Sequence, residues 1–213
     1  MLRLNQADGQ AAYFGRKETT GPYLSFSPGV VGQFVQNMNG TYSFAKKDGT
    51  TKVFNSLGRL VSSTDKNGNQ TALTYDAGGR LIAVTDAGGR TLTLTPNVNG
   101  TIAQISDLSG VIADYEYYPS TTLLKTVTKA DGSKFKFEYV NKTVDGAIRT
   151  YLATVKDGLD NVVENHEYDG QGRAATSEIH GGAEKYTLTY GLAHPAYGIY
   201  TRVTDGLGRT TDY

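Results

Sequence analysis

YDAGGRLIAVTDAGGR, residues 75–90, contains one phrase twice: Asp76-Ala-Gly-Gly79-Arg80 returns ten residues later as Asp86-Ala-Gly-Gly89-Arg90. Such a phrase is either a chemical device or the punctuation of a repeating backbone, and its distribution decides between the two. Asp/Asn-x-x-Gly recurs at Asn37–Gly40, Asn55–Gly58, Asp65–Gly68, Asp76–Gly79, Asp86–Gly89, Asn97–Gly100, Asp107–Gly110, Asp169–Gly172 and Asp205–Gly208. From Asn55 to Asp107 the steps are 10, 11, 10, 11 and 10 residues. The beat continues through Tyr118-Pro-Ser and Lys129-Ala-Asp-Gly132, then loosens through Asp145-Gly146, Asp157-Gly-Leu-Asp160 and His180-Gly-Gly. A period of ten or eleven residues is one strand of about six or seven plus a turn, repeated.

The phrase has a mechanical account. An Asp or Asn at the first turn position accepts from a backbone N–H two residues on, and Gly at the fourth takes the left-handed conformation that closes a three-residue hairpin loop. A side chain there would cost about 1–2 kcal/mol. The segments between turns alternate: Thr91-Leu92-Thr93-Leu94-Thr95, Lys134–Tyr139, Tyr186–Tyr190 and Thr41–Phe44 each put apolar residues on one face. Leu81-Ile82-Ala83-Val84 is apolar on both faces, which predicts a strand covered twice. The run GVVGQFVQ, residues 29–36, is the least repetitive apolar stretch and is expected to plug or cap one end. The expected fold is all-β, a repetitive antiparallel hairpin ribbon at 51–213 preceded by leading strands and a cap-like segment at 1–50.

Composition agrees. Among 213 residues there are 26 Gly and 15 Tyr but 5 Pro, which suits strands and tight turns. Lys plus Arg equals Asp plus Glu at 21 each, so the basic excess that nucleic-acid binding draws on is missing. Cys is absent, which removes disulfides, zinc-thiolate sites and thiol nucleophiles. No run reaches the roughly 18–20 apolar residues of a membrane helix, and the first thirty residues lack a basic start followed by an apolar run. These features predict a soluble chain, a piece of something longer; its end at Thr211-Asp-Tyr213, just past a turn, suggests truncation within a repeat.

Tyr75-Asp76-x-x-Gly79-Arg80-Leu81, Tyr168-Asp169-x-x-Gly172-Arg173 and Phe54-Asn55-x-x-Gly58-Arg59-Leu60 resemble the YD repeat of the RHS family. That family also takes in the teneurin shell and the cocoon-forming component of insecticidal toxin complexes. The alternating half-repeat is present as Thr64-Asp65-x-x-Gly68-Asn69, Thr85-Asp86-x-x-Gly89-Arg90 and Thr204-Asp205-x-x-Gly208-Arg209. The resemblance implies a segment of a spiralling shell that encloses a C-terminal toxic polypeptide, with export or surface display in a bacterium. The partners it implies are the rest of the shell and the enclosed chain. It implies no enzyme activity and no cofactor. The self-cleaving segment of such shells is not matched, since no Asp-Pro dipeptide occurs, so no protease residues carry over.

Repeated aspartates could supply a glycosidase carboxylate pair, but they are evenly spread, and a cap for its own turn explains the Gly three residues later. Asp65-Lys-Asn67-Gly68-Asn69 lacks the Gly offset and distal Glu of a calcium loop. His166, His180 and His194 show no ligand spacing, and Glu164-Asn-His166-Glu167 comes without a nucleophile signature. The arginines after Gly (59, 80, 90, 173 and 209) either pair across strands or line a cargo-facing wall. Tyrosine rows keep a second reading open, that of a cell-surface module binding glycan or protein. The open edges of a ribbon with no net charge predict self-association, and neighbour-only contacts predict unfolding less cooperative than in a compact domain.

Overall fold

The computed structural model describes residues 1–5, 9–16, 21–182, 184–196 and 198–213; the side chain of His180 lies outside the described residues. It divides into two compact units, Met1–Gly110 and Val111–Tyr213. The expected all-β architecture is present: twenty strands among the described residues, with one 3-10 turn at His180–Gly182.

In the first unit the strands are β1 (Leu2–Asn5), β2 (Ala11–Gly15), β3 (Tyr23–Ser25), β4 (Gly32–Gln36), β5 (Tyr42–Lys46) and β6 (Thr51–Phe54). They continue as β7 (Leu60–Thr64), β8 (Gln70–Tyr75), β9 (Leu81–Thr85), β10 (Thr91–Pro96) and β11 (Ile102–Asp107). Each pairs antiparallel with the next. The second unit repeats the scheme with β12 (Gly110–Tyr117), β13 (Leu124–Lys129), β14 (Lys134–Val144), β15 (Ala147–Asp157) and β16 (Val162–Tyr168). It ends with β17 (Ala174–Ile179), β18 (Glu184–His194), β19 (Gly198–Asp205) and β20 (Thr210–Asp212), again paired in chain order. Connections of two to seven residues are too short to reach beyond the adjacent strand, so a regular beat of turns becomes a meander.

A second period is superimposed on the beat. The register shifts at Val53/Phe54, Thr74/Tyr75, Thr95/Pro96 and Glu116/Tyr117, so that Phe54, Tyr75, Pro96 and Tyr117 recur every 21 residues at a bulge. These are the ends of alternate strands, which places the bulges at one end of each full repeat. In Tyr75↔Leu81 and Thr74↔Ala83, Ile82 is the extra residue. A bulge bends its strand and raises local twist.

The buried core of the first unit is aromatic. Ala12, Phe14, Tyr23, Phe34 and Phe44 form one cluster, with Leu2, Leu4, Val30, Tyr42 and Phe54 packed against it. Phe34 and Phe44 are direct cross-strand partners and stack at 4.6 Å, while Phe14 meets Phe34 edge-on at 4.9 Å. The run at 29–36 therefore supplies β4, paired on both sides, and its Phe34 lies in this core. Leu81–Thr85 differs from expectation. Every residue of β9 is half-buried and none fully, so apolar character on both faces reflects partial contact on each side rather than two covering layers.

Candidate functional site

The repeated phrase folds as one module. Asp76 N–H donates to the Arg80 carbonyl at 2.9 Å, and Gly79 N–H donates to the Asp76 carbonyl at 2.9 Å, with Gly79 at φ +79. The Asp76 Oδ1 accepts from Arg80 N–H at 2.8 Å, and its Oδ2 takes Arg80 Nε at 2.7 Å. Asp86–Gly89–Arg90, Asp169–Gly172–Arg173 and Asp205–Gly208–Arg209 reproduce this arrangement, with Nε–Oδ2 distances of 2.7, 2.8 and 2.6 Å. The Arg after Gly thus closes on the carboxylate four residues back, as a clasp on its own turn.

Two variants follow from the residue types. Where Asn follows Gly, its amide replaces the guanidinium: Asn69 Nδ2 reaches Asp65 Oδ2 at 2.8 Å, beyond Gly68 at φ +86. Asn161 Nδ2 does the same to Asp157 at 2.8 Å, in a turn where Asp160 takes φ +67 in place of Gly. Where Asn opens the turn there is no carboxylate to hold the guanidinium. Asn55 Oδ1 caps Leu57 and Arg59 N–H at 3.0 and 2.9 Å, Gly58 closes the turn, and the Arg59 side chain swings over the Tyr75 ring at 5.9 Å.

Asp107–Gly110 departs from the pattern. The turn contains Leu108 and Ser109, the Asp107 carboxylate accepts from Ser109 N–H at 2.7 Å, and Gly110 opens β12 at φ +127. With the return strand starting at Gly itself, no residue is left over to form the three-residue loop.

Three tyrosines, two of them immediately before a turn, form a further layer. Tyr75 donates its hydroxyl to the Leu60 carbonyl at 2.8 Å, Tyr168 to Leu152 at 2.7 Å and Tyr190 to Ala174 at 2.8 Å. Leu60 and Ala174 are the residues just past the arginines of the preceding full repeats, so each hydroxyl ties one repeat to the last. Arg173 lies over the Tyr190 ring at 4.1 Å, and Tyr168 packs against Tyr151 at 4.6 Å, its ring tilted by 36°. Repeat order was legible in the sequence, but these latches were not. The available signal was the Tyr immediately before the turn at Tyr75-Asp76 and at Tyr168-Asp169; Tyr190, inside β18, carries no such mark.

The candidate chemistry is placed as follows. Each module carboxylate is engaged within its own turn, so the aspartates do not converge. His166 Nδ1 lies 3.1 Å from Ser177 Oγ and its Nε2 lies 3.4 Å from Glu164, all on neighbouring strands β16 and β17. Among the described residues, no three His, Asp or Glu side chains gather to hold a metal ion, and no helix is long and apolar enough to cross a membrane.

Hydrogen bonding holds the turn carboxylates below the usual range. Asp76 is lowered by the Arg80 backbone N–H and guanidinium, Asp86 by the Arg90 guanidinium and N–H, Asp65 by the Asn69 amide and Asp157 by the Asn161 amide. A carboxylate whose folded pKa lies below its unfolded value contributes stability above the unfolded value, near 3.8, and loses it as pH falls through the folded one. The thermal midpoint should therefore drop below about pH 4. The double variant Asp76→Asn, Asp86→Asn should drop less, because Asn55 shows that an amide can cap this turn. Melting curves from pH 7 to 2 check this, and equal drops would remove the turn carboxylates as the source.

The tyrosine latch has its own test. Tyr168→Phe leaves the ring packed against Tyr151 but removes the donor to the Leu152 carbonyl, which should cost about 1 kcal/mol. Tyr186→Phe, at a residue 46% exposed, should cost almost nothing. Urea midpoints of the two variants separate latch from ring.

Residues 54–91 match the family model described as RHS Repeat. No curated protein matches the sequence. Among solved structures, the chain is similar to one in the crystal structure of TcdB2-TccC3 without its hypervariable C-terminal region: 13% identity, TM-score 0.51, 99% of this chain and 14% of that one. A chain in the crystal structure of TcdB2-TccC3-Cdc42 gives 14% identity, TM-score 0.50, and coverage of 99% and 14%. A chain of the Photorhabdus luminescens Tc holotoxin pore gives 14% identity, TM-score 0.48, and coverage of 95% and 13%. The protein thus spans about one seventh of the length of these solved chains, and what it shares with the two TcdB2-TccC3 chains is the fold. The doubled phrase, residues 75–90, lies within the segment that matches the RHS repeat.

Proposed function

We propose that this chain is a non-enzymatic structural module, a stretch of wall in an RHS-type β-shell that encloses a C-terminal toxin or effector polypeptide. Residues 51–213 are the repetitive wall and residues 1–50 lead into it. The observation that carries the reading is the internal use of the repeat's polar groups. Asp is spent on its turn, Arg or Asn on that Asp, and the Tyr hydroxyl on a carbonyl of the preceding repeat. Side chains engaged in this way maintain register and spacing and are not presented to a substrate. The same geometry favours a wall over an adhesive tyrosine face, because Tyr75, Tyr168 and Tyr190 have their hydroxyls committed. The RHS match at 54–91 and the fold shared with TcdB2-TccC3 chains support it. The mechanism is exclusion: paired backbone and clasped turns leave a protease or partner no route to the enclosed chain.

Limited proteolysis of the full-length gene product under native conditions, followed by mass spectrometry, tests containment. A downstream segment that resists protease inside the whole protein and is digested alone is the expected result. Free digestion in both settings, or a gene that ends near Tyr213, sinks the reading.

A further inference from the structure

Residues 37–41, Asn-Met-Asn-Gly-Thr, return as residues 97–101, Asn-Val-Asn-Gly-Thr. They close the hairpins between β4 and β5 and between β10 and β11. In the first, Asn39 Oδ1 accepts from Thr41 N–H at 3.1 Å and from the Thr41 hydroxyl at 2.7 Å. In the second, Asn99 Oδ1 accepts from Thr101 N–H at 3.2 Å and from the Thr101 hydroxyl at 2.8 Å. Each hydroxyl oxygen also accepts from the Asn that opens its turn, Asn37 Nδ2 at 2.8 Å and Asn97 Nδ2 at 3.0 Å, which directs the hydroxyl proton to Oδ1. Asn39 and Asn99 are exposed at the turn tips. The cap itself does not need an amide. Asp48 Oδ1 takes Thr50 N–H at 2.8 Å and Asp131 Oδ1 takes Ser133 N–H at 2.9 Å, in turns that also close on a left-handed Gly. What Asn39 and Asn99 add is an amide nitrogen at the surface, two residues before a hydroxyl.

We propose that Asn39 and Asn99 are acceptor sites for N-linked sugar. Asn-x-Thr, with a residue other than Pro between, is the acceptor tripeptide of that transfer. The co-reactant is a sugar activated as a diphosphate ester. Nδ2 attacks the anomeric carbon, the N–C bond forms as the C–O bond to phosphate breaks, the diphosphate leaves with the electron pair, and a base of the transferase takes one amide proton. Two donors on Oδ1 stabilise the charge that collects on the amide oxygen as that proton leaves. The sequence holds two more such tripeptides, Asn69-Gln-Thr71 and Asn141-Lys-Thr143, and the structure sets them apart. The Asn69 amide nitrogen is held by Asp65 Oδ2 at 2.8 Å. Asn141 lies inside the paired strand β14, where its Oδ1 takes the Thr150 hydroxyl across the hairpin at 2.7 Å. Acceptor strength should therefore follow the turn and not the tripeptide. The inference stands apart from the wall reading, since it concerns what the turn tips carry and not what the sheet encloses.

The test is peptide mapping of the full-length gene product, purified from its own host, by mass spectrometry with fragmentation that leaves sugars attached. Sugar is expected on Asn39 and Asn99 and not on Asn69 or Asn141. A single sugar unit points to a nucleotide-linked donor and a preassembled oligosaccharide to a lipid-linked one; either supports the sites. Asn39→Asp should lose the sugar with an unchanged thermal midpoint, because Asp48 shows that a carboxylate caps this kind of turn. Thr41→Val should also lose it, and Thr41→Ser, which keeps the hydroxyl, should retain it. The proposal is overturned by bare Asn39 and Asn99, by equal occupancy of all four asparagines, or by sugar that persists in Thr41→Val. Conversion of Asn39 and Asn99 to aspartate without sugar would mark spontaneous deamidation at Asn-Gly, which also overturns it. So does sugar found on the isolated chain alone, since the whole protein then covers these turns.

Discussion

Phe44→Ala should destabilise the first unit by about 3–5 kcal/mol, the range for emptying a fully buried phenylalanine site. Phe44 is 1% exposed, stacks on Phe34 at 4.6 Å and meets the edge of Phe14 at 5.4 Å. The neighbouring backbone is shaped for the ring. A Cβ on Gly32 would stand 2.6 Å from the Phe44 ring and 2.9 Å from the Ala45 carbonyl, so glycine is the residue that admits it. A sheet with few fully buried side chains has little else to compensate for such a cavity. The control is Leu92→Ala, where the side chain is 43% exposed and the loss should stay below about 1 kcal/mol. Urea denaturation followed by circular dichroism measures both. If the two midpoints shift alike, the aromatic cluster is not the core of this unit.

What the sequence revealed and what it withheld divide along physical lines. Turn chemistry is local: Asp, Gly and Arg lie within five residues of one another, so the module at Asp76–Arg80 can be written down from the phrase alone. The meander follows because short turns connect adjacent strands. The target of a tyrosine hydroxyl is not local. Tyr75 meets Leu60 fifteen residues away, and which carbonyl it meets depends on a bulge that a period-two pattern does not register. The core of the first unit is further from view. Phe14, Phe34 and Phe44 come from β2, β4 and β5 and keep step with the ten-residue beat, but the spacing does not say that their rings meet, which depends on how the leading strands pair and pack. Arg59 shows how one residue changes a role: with Asn at position 55 the guanidinium has no carboxylate to grip and turns to Tyr75 instead.

Two glycines with the same local geometry should differ in cost because their surroundings differ. Gly172 and Gly208 both close Asp-x-x-Gly-Arg turns in the second unit, at φ +74 and +80. A Cβ on Gly208 meets nothing within 4 Å. Gly208→Ala therefore carries only the left-handed backbone penalty, about 1–2 kcal/mol. A Cβ on Gly172 would overlap the Tyr151 hydroxyl, stand 2.8 Å from Tyr151 Cζ and touch Val144 Cγ2 at 3.0 Å. Tyr151 cannot yield freely, because its ring packs against Tyr168 at 4.6 Å and the Tyr168 hydroxyl is held by the Leu152 carbonyl. Gly172→Ala should then cost about 3 kcal/mol, the backbone penalty plus that of an overpacked aromatic contact. Truncating Tyr151 in the same chain removes the collision, so the second substitution should cost less in the Gly172→Ala background than alone. Additive costs for that pair would show that the turn feels only its own backbone. A deficit of about 1 kcal/mol or more would place the coupling in the packing between turn and strand. On that outcome the Asp-x-x-Gly-Arg phrase closes each hairpin and also seats it against the aromatic layer of the adjacent repeat.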